Sequence, residues 1–85
     1  MKFYPTERCV EEYDNFEIKI ANMLSDLDNI LNIAENISEE RKEECHPSYS
    51  GREAMEKLGL TLAHIVSYRH EYEEELKKGE NKNEN

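Results

Sequence analysis

YDNFEIKIANMLSDLDNILNIAENI, Tyr13 to Ile37, is the stretch that decides how this chain folds. Tyr13, Ile20, Leu27 and Ala34 recur every seven residues, and Phe16, Met23, Ile30 and Ile37 occupy the next apolar position of the same repeat. Leu24 and Leu31 widen the stripe. Apolar side chains spaced three and four apart share one helix face, so the pattern predicts a long amphipathic helix of coiled-coil type. No glycine or proline lies between Thr6 and Cys45 to interrupt it.

Toward the N-terminus, Tyr4-Pro5-Thr6-Glu7 reads as a helix start, with Thr6 as cap and Glu7 in the first turn. In the other direction the stripe stops at Ile37, and Ser38 to Glu44 is entirely polar. Two readings stand: a solvated extension to Cys45, with a bend near Glu35-Asn36-Ile37, or a short third helix over 37–45 capped by Ser38. Continuity is the preferred expectation. His46-Pro47-Ser48-Tyr49 reads as the connector, because proline cannot continue a helix and biases His46 away from helical angles. Ser50-Gly51-Arg52-Glu53 has the form of a capping box opening a second helix. Its stripe is Met55, Leu58, Leu62, Ile65, Arg69, Tyr72 and Leu76, broadened by Ala54 and Val66. Lys77-Lys78-Gly79 reads as its stop, with cations in the last turn and glycine after it.

The fold expected is an all-α antiparallel helical hairpin. It spans residues 1–79 as one domain, with a polar, frayed tail over 80–85. Two helices cover only part of each stripe. A first helix running to Cys45 would leave Val10, Tyr13 and Phe16 without a partner. Leu24, Leu31, Ile33 and Val66 flank the seam, and Ile18 and Leu60 lie well off it. Uncovered apolar surface of this kind marks an interface. A homodimer forming a four-helix bundle is therefore expected, with Tyr13, Phe16, Ile20, Leu24, Leu27, Leu31, Leu62, Ile65 and Val66 as its self-association residues.

Composition bounds the function. Eighty-five residues make one domain, which buries roughly 60% of its unfolded surface and is marginal on its core alone. Twenty acidic residues face eleven basic ones, a net charge of −9. A nucleic-acid backbone needs a basic face, so direct binding to nucleic acid is not expected. A basic protein surface suits this charge better. Glu39, Glu40, Glu43 and Glu44 cluster near the bend, and Glu71, Glu74 and Glu75 share one side of the second helix near the negative end of its dipole. Together with Tyr68 and Tyr72 they form the expected partner-binding set. Arg69 interrupts an apolar stripe, as a register-setting ion pair or as the anchor of a ligand site.

Nothing points to catalysis. There is no C-x-x-C or H-x-x-x-H spacing for a metal, no G-x-S-x-G elbow and no glycine-rich phosphate loop; Gly51, Gly59 and Gly79 are scattered. No catalytic residue, metal or cofactor is expected. No run approaches the roughly 20 apolar residues of a membrane span. Without an apolar run behind Met1-Lys2-Phe3-Tyr4-Pro5, and with Cys9 and Cys45 too far apart along a helix to bridge, free thiols and a cytoplasmic setting are expected.

The length and layout resemble the small aspartyl-phosphate phosphatases that act on sporulation response regulators. Their S-Q-E-L-D signature is missing: the nearest register reads Gly59-Leu60-Thr61-Leu62-Ala63, without the acidic residue, so that activity does not carry over. The hairpin layout also resembles phage-encoded helical hairpins that sequester cyclic nucleotide signals, for which a charge of −9 is a poor match. The small, acidic, Glu/Lys/Asn/Ile-rich style is similar to phage-encoded proteins that bind and disable host factors. That resemblance implies a non-enzymatic inhibitor working in a host cytoplasm, including by nucleic-acid mimicry. The alternatives are a structural or assembly module pairing with itself or a cognate subunit, and a nucleotide-signal sponge using Arg69, Tyr68 and Tyr72.

Overall fold

In the computed structural model, residues 5–84 are described, with side chains for 5–78. Two helices, α1 (Glu7–Arg41) and α2 (His46–Glu84), pack against each other as an antiparallel hairpin, a rod of 69 × 20 × 14 Å. Among the described residues there is no strand, and no helix is long and apolar enough to cross a membrane.

α1 starts where the sequence indicates. Thr6 is extended at the cap, and its carbonyl accepts the N–H of Cys9 at 3.0 Å. The Thr6 hydroxyl makes no cap to a backbone N–H; it faces the Cys9 thiol at 3.5 Å. The other end differs from expectation. α1 runs through Ile37 as one helix and stops at Arg41, short of Cys45, with no third helix. Lys42 is left-handed (φ 56°). Its N–H donates to Glu39 O at 3.2 Å, and that of Glu43 donates to Ser38 O at 3.0 Å. These two reversed bonds satisfy two of the last four carbonyls, those of Ser38 and Glu39, and turn the chain, a task usually given to glycine.

The connector is therefore Lys42 to Cys45, and α2 begins at His46, well before the Gly51 start that a Ser50 cap implies. Cys45 O accepts the N–H groups of Ser48 (3.1 Å) and Tyr49 (3.4 Å). Pro47 lies inside the first turn, where a missing N–H costs nothing because that N–H has no helical partner. The Ser50 hydroxyl bonds to Pro47 O at 3.5 Å, so no capping box forms. At its far end α2 passes the expected stop at Gly79 and stays helical to Glu84. Glycine permits a left-handed stop without compelling one. The side chains of 79–84, and Asn85, lie outside the described residues. So do residues 1–4, including Tyr4 of the expected helix start.

Starting α2 early and extending it late gives α1 a partner over its whole length. Val10 and Tyr13, expected to lie bare, are half-buried. The α1 seam is Val10, Tyr13, Glu17, Ile20, Leu24, Leu27, Leu31, Ala34 and Ser38; the α2 seam is Gly51 with Met55, Leu58, Leu62, Ile65, Arg69, Tyr72 and Leu76. Spacings alternate three and four throughout, the pattern that keeps one face on a neighbouring helix. Leu31, at 2% exposure, is the one buried hydrophobic side chain among the described residues. It lies against Gly51, where an added Cβ would stand 2.5 Å from Leu31 Cδ2, so glycine is what lets the helices close here.

Candidate interaction surfaces

The hairpin has two unlike long sides. On one side α1 presents Asp14, Ala21, Asp28 and Glu35 next to the seam, and α2 presents Arg52, Gly59, Val66 and Glu73. Ion pairs knit this side. Arg52 donates to Asp28 Oδ1 (2.7 Å), Asn32 Oδ1 (2.9 Å) and both oxygens of Glu35 (3.0 and 3.2 Å). Ser48, buried at 8% exposure, donates to Glu35 Oε2. The Arg52 bonds first, then Ser48, hold the Glu35 carboxyl below the ordinary carboxylate range, and Glu35 and Asp28 raise the guanidinium in turn.

Farther along, Arg69 (19% exposed) places Nη2 3.2 Å from Glu17 Oε2 and Nη1 3.4 Å from Glu73 Oε1 and 4.0 Å from Asp14 Oδ1. Its Nε is buried without a hydrogen-bond partner. Three carboxylates already neutralise this guanidinium, which is the register-setting role weighed from sequence. An anionic ligand anchored there would have to displace them.

On the other side α1 presents Phe16, Met23, Ile30 and Ile37, and α2 presents Ala54, Thr61, Tyr68 and, at the open end, Glu75, the one charged residue of this set. The sequence reading put the four α1 residues in the seam. They are exposed instead (39%, 51%, 60% and 51%), and the seam takes Leu24 and Leu31 in their place. α1 carries two apolar stripes one residue apart, and a single neighbouring helix covers only one. Ile33, at 61%, adjoins the uncovered stripe. Of the expected self-association residues, Tyr13, Ile20, Leu24, Leu27, Leu31, Leu62 and Ile65 lie within the hairpin's own seam, Val66 beside it, and Phe16 on the uncovered side.

At the open end, Tyr13 stands edge-on to Tyr72 (ring centroids 5.3 Å) and Tyr68 (6.3 Å), and Phe16 packs on Tyr13 at 5.2 Å. Burial foremost, then Tyr13, raises the Tyr72 phenol above its ordinary value. Tyr72 is thus largely structural, whereas Tyr68 remains half exposed. Cys9 lies beside this cluster, its thiol lowered chiefly by hydrogen bonds from Thr6. Cys9 and Cys45 are both free.

The expected carboxylates divide. Glu43 is held by Arg41 at 3.0 Å, and Glu44 lies 3.8 Å from His46. Glu39, Glu40, Glu71, Glu74 and Glu75 are exposed, and none pairs with a basic side chain among the described residues. No group of three His, Cys, Asp or Glu among those residues is arranged to hold a metal ion. Sequence reading missed the Arg52 network. Its one signal was a polar residue, Asp28 or Glu35, flanking the apolar stripe at seven-residue spacing. No protein-family model, curated protein or solved structure matches this chain.

Proposed function

We infer that this chain is a non-enzymatic protein-binding module that docks on a basic surface of another protein. One observation carries the reading: the two arginines set between the helices, Arg52 and Arg69, are consumed inside the hairpin, while Glu39, Glu40, Glu71, Glu74 and Glu75 are exposed and have no basic partner among the described residues. In a chain of net charge −9, these exposed carboxylates face outward, where they would steer and orient a basic partner. Tyr68, exposed beside Glu71 and Glu75 on α2, supplies an apolar anchor of the kind enriched at interfaces. A small acidic rod of this sort suits an inhibitor of phage or mobile-element type, acting in a host cytoplasm by occupying a groove that otherwise takes nucleic acid.

The test is capture from lysate by wild-type chain and by a Glu71→Gln, Glu74→Gln, Glu75→Gln variant, at low and physiological salt. The expected result is a basic partner that the wild type retains, and that both added salt and the variant release. A partner indifferent to both changes, or none at either salt, refutes the reading.

A second reading, an assembly module that pairs with itself or a cognate subunit, is favoured by a different observation. Among the described residues one hydrophobic side chain, Leu31, is buried, which is a small core for two helices of 35 and 39 residues. This reading expects function to survive reversal of Glu71, Glu74 and Glu75 and to be lost with Ile30→Glu, since Leu27 lies in the hairpin's own seam and Leu27→Asp would disrupt the fold under either reading.

A further inference from the structure

The area of this molecule is out of proportion to its mass. A compact chain of 10.1 kDa exposes about 5,300 Å² by the usual scaling. This one exposes 6993 Å². Its radius of gyration is 19.4 Å, against about 12 Å for a compact domain of this length. The excess, about 1,700 Å², is about twice the roughly 800 Å² that each partner contributes to an interface of standard size. The hairpin therefore has ample surface to give up, and a core that needs it covered.

Charge decides where. Two copies each carrying −9 repel least where they meet through the face with the fewest charges. The stretch of Phe16, Met23, Ile30 and Ile37 on α1 with Thr61 and Tyr68 on α2 comes nearest to such a place: Glu75 bounds it at the open end, Lys19 and Asp26 flank it in the row of Ile33, and it holds five of the nine large apolar side chains exposed among the described residues. The opposite long side is closed by the Arg52 and Arg69 ion pairs. Even seven-residue spacing reads alike in both directions, so the α1 stripe can meet itself across a two-fold axis, as a closed dimer requires.

We propose that a second copy of this chain seats on this mostly apolar side, with α1 lying on α1 of the other copy in the opposite direction, and completes a four-helix bundle. Phe16 then comes near Ile37 of the second copy, and Met23 near Ile30. The same placement brings Arg41 and Lys42 alongside Glu11 and Glu12. This deepens and rests on the assembly reading; it needs no basic partner.

Light scattering on the purified full chain at micromolar concentration should give twice 10.1 kDa. A monomer overturns this proposal and the self-pairing form of the assembly reading with it. Ile30→Glu should yield a folded, helical monomer, because Ile30 contributes little to the hairpin seam; Leu60→Glu, on an exposed position elsewhere, should leave the dimer intact. A dimer that survives Ile30→Glu, or one lost equally with Leu60→Glu, overturns the face while leaving assembly standing. For direction, Phe16→Cys and Ile37→Cys chains are made in a Cys9→Ser, Cys45→Ser background and treated with a short bis-maleimide. Mixed chains should cross-link and each chain alone should not; failure of the mixture to cross-link, or cross-linking of either alone, overturns the arrangement.

Discussion

Arg52 grips Glu35 with two nitrogens, Nε to Oε2 at 3.2 Å and Nη2 to Oε1 at 3.0 Å, and reaches Asp28 and Asn32 with the same guanidinium. Asp28, Asn32 and Glu35 lie on successive turns of α1, so one side chain of α2 measures the alignment of the two helices. Sliding the hairpin by a turn, about 5.4 Å, would break every one of these bonds.

Arg52→Ala should lower the thermal midpoint, read by circular dichroism, well beyond the effect of Arg8→Ala. The Arg8–Glu12 pair is a 3.9 Å contact on an exposed face within one helix and should contribute almost nothing. Arg52→Lys should restore only part of the loss, since an ammonium cannot engage three acceptors on a planar fork. Equal effects of Arg52→Ala and Arg8→Ala would remove Arg52 from its aligning role.

Acid should weaken the same site in a defined direction. The Glu35 carboxyl is held low in the folded chain, so its contribution is fully present above the unfolded value near about 4.3 and is lost as pH falls through the lower folded value. The difference in thermal midpoint between wild type and Glu35→Gln should be constant from pH 7 to about 5.5 and close toward zero below about pH 4. Comparing the two chains cancels the opposing relief of charge repulsion as other carboxylates protonate. A gap that persists unchanged in acid would contradict this account.

Two glycines of α2 should respond oppositely to alanine. At Gly59 nothing lies within 4 Å of an added Cβ, so Gly59→Ala should stabilise the chain by about 0.5–1 kcal/mol through helix propensity. At Gly51 the new methyl would meet Leu31 Cδ2 at 2.5 Å and Cδ1 at 2.8 Å. Overpacking of about 1–3 kcal/mol then outweighs the propensity gain, and the chain should be destabilised. Urea denaturation of both variants distinguishes the two sites.

Lys42→Gly should stabilise. A lysine at φ 56° carries the left-handed penalty of about 1 kcal/mol that glycine escapes, partly offset by the greater freedom glycine brings to the unfolded chain. A net gain of about 0.5 kcal/mol is expected in the same denaturation experiment. Lys42→Val should lose stability, because branching at Cβ is poorly tolerated there.

The helical hairpin and the α2 seam were legible because Met55, Leu58, Leu62, Ile65, Arg69, Tyr72 and Leu76 form a single stripe with no rival. α1 was ambiguous: Met23 beside Leu24 and Ile30 beside Leu31 support two seams equally, and only the neighbouring helix selects one. The turn was misplaced because Pro47 signals a helix end and a first turn with equal force, and the Ser50 box offered an attractive false start. Arg69 could be read as a core cation since it breaks an apolar stripe. Arg52 could not, because its partners Asp28 and Glu35 become neighbours only once both helices and the turn are fixed. The exposed carboxylates are visible in any charge count, yet which of them stay unmatched depends on the same alignment.

The close fit of Leu31 on Gly51 lies near the bend, while Tyr13 and Tyr72 meet close to the two chain ends. Closing a short loop costs less entropy than closing a long one, so the hairpin should zip from the bend outward once Leu31 and Gly51 meet. Opening runs the other way: the aromatic end parts first and the bend last, so amide protection should fade steadily along the rod instead of vanishing at once.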